Sequence, residues 1–185
     1  GHLAEYVPWF MRHNREIERL EIRPNLYLDT CGRQDAAYHS LRRDLQNGTP
    51  VLNQPYRPSI EYASRILNAV VTGDPFVFNG NVHNRGGTVI PNLPGDSCVE
   101  VPCVADRSGV NPTTQDELPP QCAALIRTNI NVQDLVVRGI LEGNRNYIRH
   151  AMMLDPNAAA TLTLGEIDEL CARMFDAQHR WLPAP

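Results

Sequence analysis

At 185 residues, 42% hydrophobic and 21% charged, the chain has the size and balance of one globular domain able to bury its own core. A net charge of −4 offers no basic footprint for nucleic acid. There is no run of 18 apolar residues for a membrane span, and the first residues lack the charged-then-apolar layout of a signal peptide. The expectation is a cytoplasmic protein with neither a nucleic-acid nor a membrane partner. Five cysteines, Cys31, Cys98, Cys103, Cys122 and Cys171, include no C-x-x-C pair. They support neither a zinc knuckle nor a full disulfide framework, and fit a reduced compartment. Every basic residue is Arg and none is Lys, and the arginines run from Arg12 to Arg180 without converging. That spread reads as a codon preference of the genome rather than a site.

In chain order, GHLAEYVPWF opens abruptly on an aromatic cluster, as expected of a segment cut from a larger protein, or of one in which Gly1 and His2 are an expression remnant. A polar helix is predicted at Met11–Ile22, closed by Pro24, and another at Arg33–Gln46, stopped by Asn47-Gly48 and Pro50. Pro50–Pro58 reads as a loop. Ser59–Thr72 is an amphipathic helix, with Ile60, Ala63, Leu67 and Val70/Val71 at helical spacing and Gly73 then Pro75 ending it. FVFNGNV and SCVEVPCVA are β-branched, alternating runs that predict strands, with Gly86-Gly87 making a tight turn between them. A helix is predicted at Ala123–Glu142, ended by Gly143. Asp155-Pro156 offers an N-cap with Pro at the first helical position. Thr163-Leu164-Gly165-Glu166 is a capping box opening a last helix to about Gln178. Met152-Met153 read as core ahead of a helix start, and Trp181 as a packed tail residue. Helices, then a small group of strands, then helices again predict an α+β domain around a mostly antiparallel sheet. Neither G-x-G-x-x-G nor G-x-x-x-x-G-K-[ST] occurs, so this segment does not cradle a dinucleotide or triphosphate by itself.

Three stretches carry a resemblance. They are EYVPWF at Glu5–Phe10, NVHNRGGTVIPNLPGDSCVEVPCVADRSGVNP from Asn81 to Pro112, and LPPQCAALIRTNINVQDLVVRGILEGNR running into AMMLDPNAAATLTLGEID, ending at Asp168. No single piece is specific, but the ordered set N-x-x-N, N-L-P, V-E-V-P and D-P-x-x-A resembles glycoside hydrolase family 4. The resemblance implies a fold similar to lactate and malate dehydrogenases, with residues 1–185 as the carboxy-terminal domain and an upstream Rossmann domain absent from this chain. It implies NAD and a divalent metal, usually Mn2+, held mainly by the upstream part, with no metal ligand in this segment. It also implies a homo-oligomer (dimer or tetramer) acting on a small sugar. In the family NAD takes hydride from C3 of the sugar, a base removes the C2 proton, the C1 substituent leaves, water adds, and hydride returns. This family is an exception to the paired-carboxylate scheme, and Glu5, Glu100, Asp106 and Asp155 show no paired spacing. EYVPWF resembles the α-galactosidase and α-glucosidase members more than the phospho-glycosidases. The alternatives are a 6-phospho-glycosidase or α-glucuronidase of the same family, or a structural and oligomerisation module inactive alone. A 2-hydroxy-acid dehydrogenase relative would need an Arg and a His–Asp pair in dehydrogenase motifs, which are not found.

The resemblance places His2, Glu5 and Tyr6 near the C2 base, with Tyr6 or His2 as catalytic candidates and Glu5 as a substrate contact. The alternative is a packing cluster with Trp9 and Phe10. Asn81 and Asn84 are read as amide contacts to sugar hydroxyls or nicotinamide, against ordinary turn chemistry, which also accounts for Asn92. Glu100 alternates with Val99 and Val101, so it is either an acid near the site or a solvent-facing strand residue. Arg127, Asn129 and Asn131 form a polar helix face at a domain or subunit contact, with sugar contact as the alternative. Cys98 and Cys103 should face opposite sides of their strand. His83 finds no second ligand at metal-binding spacing.

Overall fold

The structure, a computed structural model, describes residues 6–49 and 60–182. Seven helices and three strands follow in the order α1 (Asn14–Arg19), α2 (Leu26–Gln46), α3 (Ala63–Thr72), β1 (Phe76–His83), β2 (Cys98–Asp106), β3 (Gly109–Pro112), α4 (Pro120–Leu141), α5 (Arg145–Leu154), α6 (Pro156–Thr161) and α7 (Leu164–Ala177). The strands form one antiparallel sheet in the order β1-β2-β3. Phe76 lies opposite Ala105, Asn81 opposite Glu100, and Val104 opposite both Val77 and Asn111. The α+β expectation holds.

The sheet has two unlike faces because side chains alternate along each strand. Val99, Val101 and Cys103 point inward and pack with Val89, Ile90 and Leu93 of the β1–β2 connection and with Ile130 of α4. Phe78 and Val82 lean on the same cluster. At the far end of that face the Tyr62 ring lies tilted against Phe76 and Phe78, with ring centroids 6.3 and 5.6 Å away. Val77, Asn79, Asn81 and His83 of β1, with Cys98, Glu100 and Pro102 of β2, alternate onto the other face and are exposed. An antiparallel sheet tolerates such a solvated face.

Local chemistry explains the boundaries. Gly73 ends α3 in the left-handed region (φ 87) and Gly143 follows α4 at φ 65. Asp155 caps α6, its carboxylate accepting from Ala158 N at 2.8 Å with Pro156 next in line. Thr163 and Glu166 close a reciprocal capping box on α7. Gly139 lets α4 and α5 cross closely, since a Cβ there would come 2.7 Å from Ile148 Cγ1.

Several expectations are corrected. The first helix is shorter than predicted, and α2 begins at Leu26 because Pro24 precedes a new helix instead of merely ending the old one. The strand β3, short and closed by Pro112, had no periodic signal. Met152 and Met153 do precede the helix start at Asp155-Pro156, but they lie inside α5 and are half-buried rather than in the core. Trp181 does not pack; it is 85% exposed. The Gly86-Gly87 turn is one 3-10 turn at Arg85–Gly87 inside a longer connection between β1 and β2. The loop expected at Pro50–Pro58 lies outside the described residues.

Candidate functional site

The β1–β2 connection, residues 84–97, is built around one buried amide. Asn84 is fully buried. Its Nδ2 donates to the carbonyls of Ile90 (3.0 Å), Leu93 (3.2 Å) and Pro94 (3.0 Å), and its Oδ1 accepts from Ile90 N at 2.7 Å. An Asn side chain has two N–H donors, shared here among three carbonyls, so its donor capacity is spent on the loop. Gly86 N donates to Gly95 O at 2.9 Å, and the backbones touch so closely that a Cβ on Gly95 would meet Gly86 Cα at 2.6 Å. Asn92 makes a paired bond to Leu118, donating from Nδ2 to its carbonyl at 2.7 Å and accepting from its N–H at 3.0 Å. The connection is thereby tied to the entrance of α4. What N-x-x-N and N-L-P encode here is a rigid loop.

The rigid loop borders an open groove of about 390 Å3 facing α4. Asp96, Ser97 and Cys98 line one side, with Arg127, Asn131, Asp134 and Arg138 on the other. Positions 127, 131, 134 and 138 recur every three to four residues and share one helix face. Arg138 Nε donates to both Asp134 oxygens, at 3.1 and 3.0 Å. Its pKa is held above the usual guanidinium value chiefly by that hydrogen bond, then by the Asp134 charge, with Asp96 and Glu142 adding to it. Arg127 makes no hydrogen bond or ion pair with the described residues, which leaves a planar, permanently charged donor free in the groove.

Cys98 joins this groove to the exposed face of the sheet, where it lies opposite His83 with Glu100 opposite Asn81 two residues on. Asn81 and Glu100 are both exposed and form one cross-strand pair of adjacent polar groups. Cys98 is exposed and Cys103 buried, on opposite faces as expected. His83 Nδ1 accepts from Arg85 N at 3.0 Å, a local turn contact.

Tyr6 is 49% exposed, and its carbonyl accepts a long 3.5 Å bond from Asn129 Nδ2 on α4. At 100° per residue, Asn129 is about 200° from Arg127 and Asn131. Tyr6 therefore docks on the side of α4 away from the groove, and the described residues do not bring it to Asn81 and Glu100. His2 and Glu5 lie outside the described residues. Trp9 is 62% exposed, so it does not close an aromatic cluster over Tyr6. Asp96, Ser97, Asp134 and Arg138 escaped the sequence reading. The spacing of Arg127, Asn131, Asp134 and Arg138 was available, but a polar stripe of that kind also marks a solvated helix face.

Among the described residues no group of three His, Cys, Asp or Glu side chains is placed to hold a metal ion, and no helix is long and apolar enough to cross a membrane.

Residues 3–158 match the family described as the family 4 glycosyl hydrolase C-terminal domain. This chain belongs to the family 4 glycosyl hydrolases. It is 40% identical over 184 residues to an α-galactosidase of Bacillus subtilis, covering 98% of this chain and 41% of that protein. It is 34% identical to an α-galactosidase of Rhizobium meliloti, covering 99% of this chain and 38% of that protein. The family 4 chain thus spans about two fifths of these relatives. The 6-phospho-β-glucosidase of Thermotoga maritima, solved with NAD and glucose-6-phosphate, shares the fold at a TM-score of 0.69 and 14% identity, over 96% of this chain and 42% of that one. A 6-phospho-α-glucosidase from gut microorganisms, solved with NAD and Mn2+, gives a TM-score of 0.69 at 17% identity, over 83% and 34% of the respective chains. The α+β fold around a small antiparallel sheet is that of the carboxy-terminal domain of these family 4 enzymes.

Proposed function

We propose that this chain is the carboxy-terminal part of a cytoplasmic, homo-oligomeric glycosidase that hydrolyses small α-galactosides or related α-glycosides with NAD and a divalent metal. The observation that carries the substrate class is the 40% identity to an α-galactosidase across nearly the whole chain. The phospho-sugar neighbours, at 14% and 17% identity, bear on fold alone. NAD and the metal are proposed to be held mainly by a part of the protein upstream of this segment, as the family resemblance implies. By the family resemblance His2, Glu5 and Tyr6 are proposed for the neighbourhood of the sugar, with Tyr6 or His2 as the proton-abstracting candidate; Tyr6 docks on the side of α4 away from the groove, so it would meet a sugar there only from that other side.

This domain then supplies a polar wall. Asn81 and Glu100 stand side by side on the exposed sheet face and offer an amide and a carboxylate to vicinal sugar hydroxyls. Arg127 and Asn131 extend the same chemistry into the adjoining groove. Asn84 contributes by holding the loop between these two surfaces, since its own donors are occupied. Few precisely placed polar groups in a concave surface is the usual composition of a small-ligand site.

The reading is tested on the intact protein with p-nitrophenyl α-galactoside. Turnover is expected to require both NAD and Mn2+; turnover that persists after both are stripped would overturn it. Within that assay Glu100→Gln and Asn81→Ala are expected to lower kcat/KM by about tenfold or more each, roughly 1.4 kcal/mol of transition-state binding per site. Unchanged kinetics in both variants would remove the sheet face from the site.

A further inference from the structure

Two Asn-Gly pairs occur in the chain, Asn47-Gly48 and Asn79-Gly80. Before a glycine, an Asn side-chain amide is open to attack by the next backbone nitrogen, because no side chain on that residue hinders the approach. Both Asn side chains are exposed, so exposure does not separate them. Their backbones do. Asn79-Gly80 lies inside β1, opposite Pro102 and Val101. Pro102 turns its carbonyl to Thr113 N at 2.9 Å, on the β3 side. Bonding directions alternate along a strand, so Val101 turns to β1 and holds the Gly80 N–H in the ladder. The Asn79 carbonyl accepts from the Tyr62 hydroxyl at 3.0 Å. Phe78 and Cys103 close on Gly80, where a Cβ would meet the Phe78 ring at 3.0 Å and Cys103 Sγ at 3.1 Å. Turning that peptide means opening the sheet over its core. Asn47-Gly48 instead ends α2, a helix that buries no residue and whose apolar stripe of Tyr38, Leu41 and Leu45 is 60, 43 and 61% exposed. Two short-range backbone bonds hold the turn beyond Asn47, from Gly48 N to Leu45 O at 3.2 Å and from Thr49 N to Asp44 O at 2.9 Å. Gly48 is left-handed (φ 69) with open space around it. A helix end of this kind opens at little cost, whereas a core strand opens at close to the cost of global unfolding.

We propose that Asn47 is a site of spontaneous covalent modification, converting with age to aspartyl and isoaspartyl forms, and that the sheet protects Asn79 from the same reaction. Ring closure needs an Asn ψ that neither a helix nor a strand supplies, so the reaction waits on local opening. When the last turn of α2 opens, the Gly48 nitrogen gives up its proton and attacks Asn47 Cγ. The N–Cγ bond forms, the Cγ–Nδ2 bond breaks, and ammonia leaves carrying the proton. Water then opens the succinimide at either carbonyl, leaving an aspartyl or an isoaspartyl residue at position 47. Either product adds one negative charge to a chain of net charge −4. The charge falls at the negative end of the helix dipole, one turn from Asp44, where it is unfavourable. The isoaspartyl form also lengthens the main chain by one carbon, so the Gly48 and Thr49 bonds no longer fit. Helix α2 is thereby loosened from its carboxy-terminal end.

The test ages the intact, folded protein in mildly alkaline buffer and cleaves it after Arg. Arg43, Arg65 and Arg85 bracket the two sites and put them in separate peptides. Chromatography with mass spectrometry should resolve the position-47 peptide into its amide, aspartyl and isoaspartyl forms, with conversion at least about tenfold faster than at position 79. In guanidinium the two rates should converge, because the fold is what separates them. Asn47→Asp brings the charge without the rearranged main chain, and should speed hydrogen exchange of the Gly48 and Thr49 amides by about threefold or more. Equal conversion at both sites in the folded protein overturns the proposal, since the sheet then protects nothing. So does a position 47 that converts in guanidinium but keeps its amide in the folded protein, which would mean that the end of α2 is held shut. Exchange unchanged in Asn47→Asp would contradict the loosening of α2 by charge. Activity is not read in any of these experiments, so their failure leaves the glycosidase reading standing.

Discussion

The sheet with its loop and the helix α2 come from one chain and are stabilised in opposite ways. Around β2, Val99, Val101, Cys103 and Ala105 are all at or below 5% exposure, and the β1–β2 loop is pinned by an amide with no spare donor. Along α2 no side chain is buried, and its side-chain contacts among the described residues are local, such as Thr30 Oγ1 to Leu26 O at 2.8 Å and His39 to Asp35 at 3.5 Å. The first region is specified from within by packing and satisfied polar groups. The second is a helix whose stability must come from propensity and from whatever covers its apolar stripe. A domain proposed to form the wall of a site would have reason to be rigid where the loop meets the sheet, and available where it meets another surface.

That contrast is open to breaking, and the largest expected effect lies in the loop. Asn84→Ala leaves the Ile90 N–H and three carbonyls without their partner in a buried setting and should cost on the order of 4 kcal/mol. Denaturant titration measures it, and a change below about 1 kcal/mol would mean that water replaces the amide. Next, Val101→Ala removes buried volume beneath the sheet and should cost about 2 kcal/mol in the same experiment. Thr163→Ala opens the capping box of α7 and should cost about 1 kcal/mol.

The cap also has a pH signature. Hydrogen bonds from the Thr163 N–H and hydroxyl hold the Glu166 carboxyl below its ordinary value of 4.5. A carboxylate with a depressed folded pKa contributes above its unfolded pKa and loses that contribution as pH falls through the folded one. Acidification below about pH 4.5 should therefore weaken α7 in the parent chain and have a smaller effect in Thr163→Ala, as followed by circular dichroism. Smallest of all, Leu41→Ala on α2 should shift the stability of the dilute monomer by less than about 0.5 kcal/mol. A cost of 2 kcal/mol there would erase the distinction between the two regions.

The same distinction sorts what the sequence made legible. Asp155-Pro156, Thr163 with Glu166, Gly73 and Gly143 each act within a turn of the chain, and each sits where local chemistry put it. The strands β1 and β2 were readable because one buried face imposes strict alternation. Helix α5 was not, since its only start signal is Asn144 accepting from Asn146 N, adjacent to a glycine that already signalled an end. The groove was hidden for a different reason. Asp96 and Arg138 belong to it only because Asn92 and Asn84 fold the loop against α4, a relation across more than 25 residues that no local pattern carries. Asn84 itself was visible as a motif residue, but burial decided that its amide faces the loop.

Whether the intact protein breaks a glycosidic bond by the chemistry its family implies is open to one direct measurement. Hydrolysis of an α-galactoside in deuterium oxide, followed by NMR of the released sugar, reports whether the C2 proton is removed and replaced from solvent. Deuterium at C2 of the galactose, in a reaction that needs NAD and Mn2+, is the predicted result. Galactose released with its C2 hydrogen fully retained would contradict it.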